Sequence, residues 1–121
     1  MKSGDRAPDP VPVYVAFGKN AGDLLRFIFE KTGGLSRFVS PGDSVLIKPN
    51  VLNDRESATG VTTDPLLVDA LLSCLRDSGV RKITLAESAW VGADTPACFA
   101  KCGYTSRAVP RTGTRSGTLS A

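Results

Sequence analysis

A chain of 121 residues with 41% hydrophobic and 22% charged residues has the length and composition of one globular domain. No stretch approaches the roughly 20 apolar residues that cross a bilayer, and the proline-containing start lacks the apolar core of a signal peptide. The sequence therefore predicts a soluble cytoplasmic protein that is not a membrane protein.

The net charge of +3 comes from the end of the chain. Residues 1–104 contain as many basic as acidic side chains, whereas residues 105–121 add Arg107, Arg111 and Arg115 and no acid. A nucleic-acid interface would have to rest on this tail alone, so the charge pattern argues against nucleic-acid binding.

Secondary structure is predicted to begin after a flexible leader, residues 1–12, in which three prolines oppose regular structure. A β-rich segment, Val13–Phe17, predicts the first strand. Asn20 then caps a helix with apolar residues at helical spacing, and Gly33 and Gly34 end it.

The second predicted strand, Ser44–Ile47, is a short apolar run that favours a strand covered on both faces. It ends at Lys48-Pro49-Asn50, because proline cannot donate a hydrogen bond to a sheet. The polar loop that follows, residues 51–63, is long for a plain connection, and such loops are often functional.

Asp64-Pro65 is a strong helix start, and the helix runs to a stop at Gly79. A third strand, Lys82–Ala86, ends at Glu87-Ser88, and a last short helix opens at Thr95-Pro96. The order βαβαβα predicts an α/β fold with a mostly parallel sheet, three strands and three helices over residues 13–104. The polar tail, residues 105–121, is predicted to be disordered.

Several kinds of chemistry are excluded by what the sequence lacks. There are three cysteines and no histidine, so neither a complete set of internal disulfides nor a Ser-His-Asp triad can form. Cys98 and Cys102 would share one side of a helix, but two thiolates are too few for a self-contained metal site. The two common glycine-rich phosphate motifs are also absent.

Ligands of open parallel α/β sheets bind beyond the carboxyl ends of the strands, and this rule selects Lys48 and Glu87 as candidate catalytic residues. Lys48 would neutralise a small anionic ligand, and Glu87 would act in proton transfer. The helix starts at Asp64 and Thr95 should open onto the same edge, where backbone N–H groups favour an anion. The candidate substrate-binding residues are Asn50, Thr63, Asp64 and Ser88.

Each of these residues also has a purely structural interpretation. Lys48 can extend to solvent from a strand end, Asn50 can hold its own turn, and Asp64 can act only as a helix cap. A pair between Lys48 and Glu87 can stabilise the fold without any further role.

Four blocks of the sequence, residues 42–50, 62–72, 83–88 and 99–104, resemble the DUF362 family, an uncharacterised conserved domain, and the likeness covers about residues 10–104. The resemblance implies redox or cofactor-related work and a ferredoxin-like partner, because family members are often fused to, or encoded with, four-iron ferredoxin-type clusters. The cluster cysteines are absent here, so the cofactor is left unassigned. The family's polar motif positions are matched by Lys48, Asn50, Thr63, Asp64, Glu87 and Ser88.

The family domain continues past Gly103-Tyr104, whereas this chain changes abruptly into its arginine-, serine- and threonine-rich tail. This change suggests a frameshifted or prematurely ended gene and an incomplete domain. The sheet would then have an exposed edge that favours self-association. The alternative to a ligand-binding enzyme is therefore a non-enzymatic remnant, or a binding module that works only with a partner.

Overall fold

The computed structural model describes residues 10–104, 109–110 and 117–120. These residues form three helices, α1 (Ala21–Lys31), α2 (Pro65–Asp77) and α3 (Thr95–Lys101), and short 3₁₀ turns at Leu35–Arg37 and Ser57–Thr59. They also form four strands, β1 (Ser44–Ile47), β2 (Lys82–Glu87), β3 (Val109–Pro110) and β4 (Gly117–Ser120). In this part of the chain no helix has the length and apolar character needed to span a membrane.

The sheet has the order β1-β2-β4-β3. Strands β1 and β2 are parallel, with Val45 opposite Ile83 and Ile47 opposite Leu85. Strand β4 is antiparallel to both β2 and β3. Helix α2 connects the parallel strands β1 and β2, which confirms the predicted α/β class, and the three predicted helices are present.

The strand predicted at Val13–Phe17 is absent, since residues 10–18 have no regular secondary structure. Val13 is 85% exposed and Phe17 is 91% exposed. Its β-branched and aromatic residues favour a strand only when a neighbouring strand supplies hydrogen bonds and packing. No described strand pairs with this segment, so its propensity is not realised.

The predicted disordered tail contains the two antiparallel strands, β3 and β4. Gly117–Ser120 pairs with Thr84–Glu87 of β2, so at these positions the structure has paired backbone where the sequence predicts disorder. Backbone pairing along an open strand edge does not require apolar side chains, which explains how a polar segment joins the sheet. The rest of residues 105–121, like residues 1–9 of the leader, lies outside the described residues.

One face of the sheet is covered by α2 and α3, and the opposite face is open in the described part of the chain. Ile83 and Leu85 point into the core, together with Leu72 of α2 and Phe99 of α3. Leu46, on the other face of β1, is 66% exposed. The prediction that β1 is covered on both faces is therefore wrong for the described residues, because the face that carries Leu46 is exposed.

Helix α1 starts where the sequence predicts it, with Asn20 Oδ1 accepting a hydrogen bond from the backbone N–H of Asp23 at 3.0 Å. Gly33 and Gly34 follow the helix with φ of +96° and +89°, which side chains other than glycine rarely adopt. The helix contacts α2, yet none of its residues is fully buried. Its apolar face is thus only partly covered.

Helix α2 gives a test of local stability at Asp64. The Asp64 Oδ1 atom accepts the N–H of Leu66 at 2.9 Å, and Pro65 occupies the first helical position. We expect Asp64→Ala to lower the free energy of unfolding by about 1 kcal/mol, because an N-cap hydrogen bond is lost. Urea unfolding followed by circular dichroism measures the effect.

The matched control is Asp64→Asn, because asparagine caps a helix about as well as aspartate. It should unfold close to the wild-type midpoint. If both variants lost the same stability, the carboxylate charge rather than the cap would be responsible.

Candidate functional site

The carboxyl ends of β1 and β2 lie side by side and bring Lys48 and Glu87 together. Ile47 at the end of β1 is paired with Leu85 of β2, two residues before Glu87. The Nζ atom of Lys48 donates a hydrogen bond to Oε2 of Glu87 at 2.6 Å. The structure thus places the two predicted candidate catalytic residues in direct contact.

The two partners of this ion pair differ sharply in exposure. The side chain of Glu87 is 7% exposed and that of Lys48 is 65% exposed. The Glu87 carboxylate also accepts a hydrogen bond from the backbone N–H of Ser88 at 2.8 Å and another from the N–H of Val51. The pair is therefore a buried, fully bonded carboxylate that holds an ammonium group at the surface.

These contacts determine the charge of Glu87. Burial raises the pKa of Glu87, but the hydrogen bond from Lys48 and the two backbone N–H groups together outweigh it, so the pKa lies below its ordinary value. Glu87 is consequently ionised at neutral pH. A carboxylate with a lowered pKa is a weak base, which favours a positioning role over proton transfer.

The loop between β1 and α2 is closed at its base by Asn50 and Thr63. The backbone N–H of Asn50 donates to Oγ1 of Thr63 at 2.9 Å, and the N–H of Thr63 donates to the Asn50 carbonyl at 2.9 Å. Asn50 Nδ2 donates to the carbonyl of Val61 at 2.6 Å. Two predicted substrate-binding residues are thus engaged with each other and with their own loop.

Tyr104 anchors this loop, and it is a residue that the sequence did not mark as part of the site. Its side chain is fully buried, and its hydroxyl donates to the carbonyl of Thr63 at 2.7 Å. Its ring lies 5.6 Å from that of Phe99. The sequence signal for this role was a tyrosine directly after the last predicted helix. A buried tyrosine hydroxyl needs a hydrogen-bond partner, so such a residue can anchor a neighbouring loop.

Helix α3 holds the same loop through two more contacts. Lys101 Nζ lies 2.6 Å from Oδ2 of Asp54, and this ion pair lowers the pKa of Asp54 and raises that of Lys101. The Cys102 thiol lies 3.4 Å from the carbonyl of Asn53 and 3.3 Å from that of Arg55. The long loop is therefore an ordered part of the domain.

The two helix starts at which the sequence predicts an anion are both capped by aspartate. At α2 the N–H groups of Leu66 and Leu67 are bonded to Asp64, and Pro65 has none. At α3, Asp94 rather than Thr95 is the N-cap. Aspartate caps bond these N–H groups and add negative charge, and both effects disfavour an anion at a helix start.

The loop after β2 is tied to the loop after β1. The backbone N–H of Trp90 donates to the carbonyl of Leu52 at 2.9 Å, and that of Ala89 donates to Oγ1 of buried Thr95 at 3.1 Å. A further turn closes between Ala93 N–H and the Trp90 carbonyl. Ser88, the last of the predicted substrate-binding residues, is exposed beside Glu87.

Two cavities of about 620 and 350 Å³ lie at α1, away from the Lys48–Glu87 pair. The larger is lined by residues 15–20 with Asp23, Leu24 and Phe27. Its location was not predicted, because it depends on a segment that the sequence assigns to a strand.

The cysteines do not form a metal centre in the described part of the chain. Cys98 and Cys102 are buried on α3, whereas Cys74 is partly exposed on α2. Burial, followed by the neighbouring Cys102, raises the pKa of the Cys98 thiol. No group of three or more cysteine and acidic side chains among the described residues could hold a metal ion, so this donor set does not fit a four-iron cluster.

Comparison with known proteins connects this site to a family. A family model described as "Domain of unknown function (DUF362)" matches residues 45–115, more than half of the chain. The match therefore covers the Lys48–Glu87 site and extends eleven residues past position 104, at which the resemblance seen in the sequence ends.

One curated relative is the thylakoid-associated protein sll1697 of Synechocystis sp., which is 39% identical over 62 residues. The aligned region covers 49% of this chain and 19% of that protein. The chain thus spans about a fifth of the length of the curated relative that it matches. No solved structure matches the chain.

Proposed function

The chain belongs to the DUF362 family, and we propose that it binds a small anionic ligand at the carboxyl ends of β1 and β2. The observation that carries the proposal is the unequal exposure of the ion pair: buried Glu87 holds Lys48, whose ammonium group is exposed to solvent. The Lys48 ammonium has three N–H donors, and the contact with Glu87 uses one. The others are available to a ligand.

The pair is electrically neutral, so an anion gains hydrogen bonds here rather than strong long-range attraction. Affinity for a simple anion should therefore be modest. Lys48 is the ligand-contacting residue in this proposal, and exposed Ser88 is a second contact. Glu87, Asn50, Thr63 and Asp64 position the backbone through the bonds described above.

The experiment is a titration with malonate, a small dicarboxylate, followed by amide chemical shifts in two-dimensional NMR. We expect saturable shifts at residues 48–52 and 87–90 in the wild type, and their loss in Lys48→Met. Lys48→Arg should keep them, because a cation remains. Lys82→Met is the control, because Lys82 is an exposed lysine at the opposite end of β2.

Shifts that persist in Lys48→Met, or that never saturate at these residues in the wild type, would contradict the proposal. The spectrum of each variant also shows whether its fold is intact, so a loss of binding is distinguishable from unfolding.

A second candidate function, a partner-dependent module, is favoured by β1. This strand lies at the end of the described sheet, and Leu46 on its open face is 66% exposed. An edge strand with an apolar residue is a template for pairing with another chain. Sedimentation at several protein concentrations tests it, and a monomer at every concentration would count against self-association.

A further inference from the structure

We infer that the ligand of this site is an aromatic or strongly apolar monocarboxylate, which places its acid group on Lys48 and its ring on Trp90. This inference rests on the proposed function, since it names the chemical class of the anion bound there. It is carried by three exposed apolar side chains on the loops that follow Lys48 and Glu87: Leu52, Trp90 and Val91. We call these residues the Trp90 patch.

The side chains of the Trp90 patch are exposed to solvent, although the backbone that carries them is held by hydrogen bonds. Leu52 is 44% exposed, Trp90 is 67% exposed and Val91 is 87% exposed. Hydrogen bonds fix the loop at Ala89, Trp90 and Ala93, and Gly92 adopts a φ of +95°, which suits the turn. Large apolar side chains grouped on such a loop mark a binding surface more often than isolated ones do.

The patch and the ion pair are built on the same two backbone segments. Val51, whose N–H binds the Glu87 carboxylate, directly precedes Leu52. Trp90, whose N–H binds the Leu52 carbonyl, follows Glu87 by three residues. Three Cα–Cα steps span at most about 11 Å, so one small molecule can contact both features.

The chemistry of the two features selects the ligand class. A lysine ammonium donates hydrogen bonds to a carboxylate, and an indole ring favours a stacked or tilted aromatic ring. Exposed Asp94, the cap of α3, lies in the same loop as Trp90. Its negative charge disfavours a second anionic group near Trp90, so an apolar body fits that end of the ligand better.

The test uses 1-naphthoate as the probe, with acetate and neutral 1-naphthalenemethanol as comparison compounds. Trp90 is the only tryptophan of the chain, so its indole N–H gives one identifiable NMR signal. We expect naphthoate to shift this signal together with residues 48–52. It should bind about ten-fold more tightly than either comparison compound, because each lacks one of the two contacts.

The variants separate the two contacts. Trp90→Ala should weaken naphthoate binding about ten-fold, whereas Trp90→Phe should retain most of it because an aromatic ring remains. Trp90→Ala should leave malonate binding unchanged. Phe17→Ala is the control, because Phe17 is an exposed aromatic residue that lines the larger cavity at α1.

Three outcomes would overturn the inference. Equal affinity for acetate and naphthoate, with no effect of Trp90→Ala, would refute the inference. If malonate binding still depended on Lys48 in that case, the proposed function would stand. Naphthoate binding that is lost in Phe17→Ala would place the ring in the α1 cavity. Naphthoate binding that is unchanged in Lys48→Met would show that the ring binds through apolar contacts alone and that its carboxylate does not bind Lys48.

Discussion

Phe99→Ala is expected to lower the free energy of unfolding by about 3–5 kcal/mol. The Phe99 side chain is 1% exposed at the centre of the core, and its ring contacts that of Tyr104. Alanine would leave a cavity between α3 and the sheet and remove this aromatic contact. Whole domains are stable by only about 5–15 kcal/mol, so a large fraction of the variant should unfold at moderate temperature. Thermal and urea unfolding measure the loss.

Phe17→Ala is the matched control, because it deletes the same ring at a position that is 91% exposed. This substitution should change the free energy of unfolding by no more than about 0.5 kcal/mol. If Phe99→Ala were no more destabilising than Phe17→Ala, α3 would not be packed on the core as described.

Glu87→Ala is expected to lower the free energy of unfolding by about 2–4 kcal/mol, because it removes the acceptor of several hydrogen bonds at once. The backbone N–H groups of Val51 and Ser88 lose their acceptor, and Lys48 loses its partner. Glu87→Gln keeps one acceptor oxygen, so its cost should be smaller, about 1–2 kcal/mol.

The pH dependence of the difference between wild type and Glu87→Gln tests the charge on Glu87. The folded-state pKa of Glu87 is below the ordinary value of 4.5. The carboxylate therefore stabilises the fold fully above that ordinary value, and this stabilisation is lost as the pH falls through the lower folded-state pKa. Urea unfolding between about pH 7 and about pH 3 should show the two proteins converging. A difference that is constant over this range would contradict an ionised, bonded Glu87.

Local signals predicted the parts of the fold that depend on neighbours in the chain. Asp64-Pro65 begins α2 because capping and a fixed φ act within one turn. The contact between Lys48 and Glu87 was also predictable, although 39 residues separate them. Parallel strands end at the same edge of a sheet, so two polar residues at strand ends need no further information to be placed together.

The parts that could not be predicted depend on distant partners. Val13–Phe17 has the composition of a strand, but a strand forms only with a neighbour. Gly117–Ser120 has little such propensity, yet it pairs along β2. The Trp90 patch depends on the bond between Trp90 and Leu52, which joins loops that are far apart in sequence.

The hydrogen bond from Tyr104 to Thr63 has a consequence for how the protein is made. It links residues 41 positions apart, so the loop between Asn50 and Thr63 is held by a residue that follows α3. During synthesis the amino-terminal part emerges from the ribosome first, and long-range contacts must wait for their later partners. A nascent chain that has already formed α1 and β1 therefore still lacks the bond that anchors the loop between Asn50 and Thr63, which forms only after residue 104 has emerged.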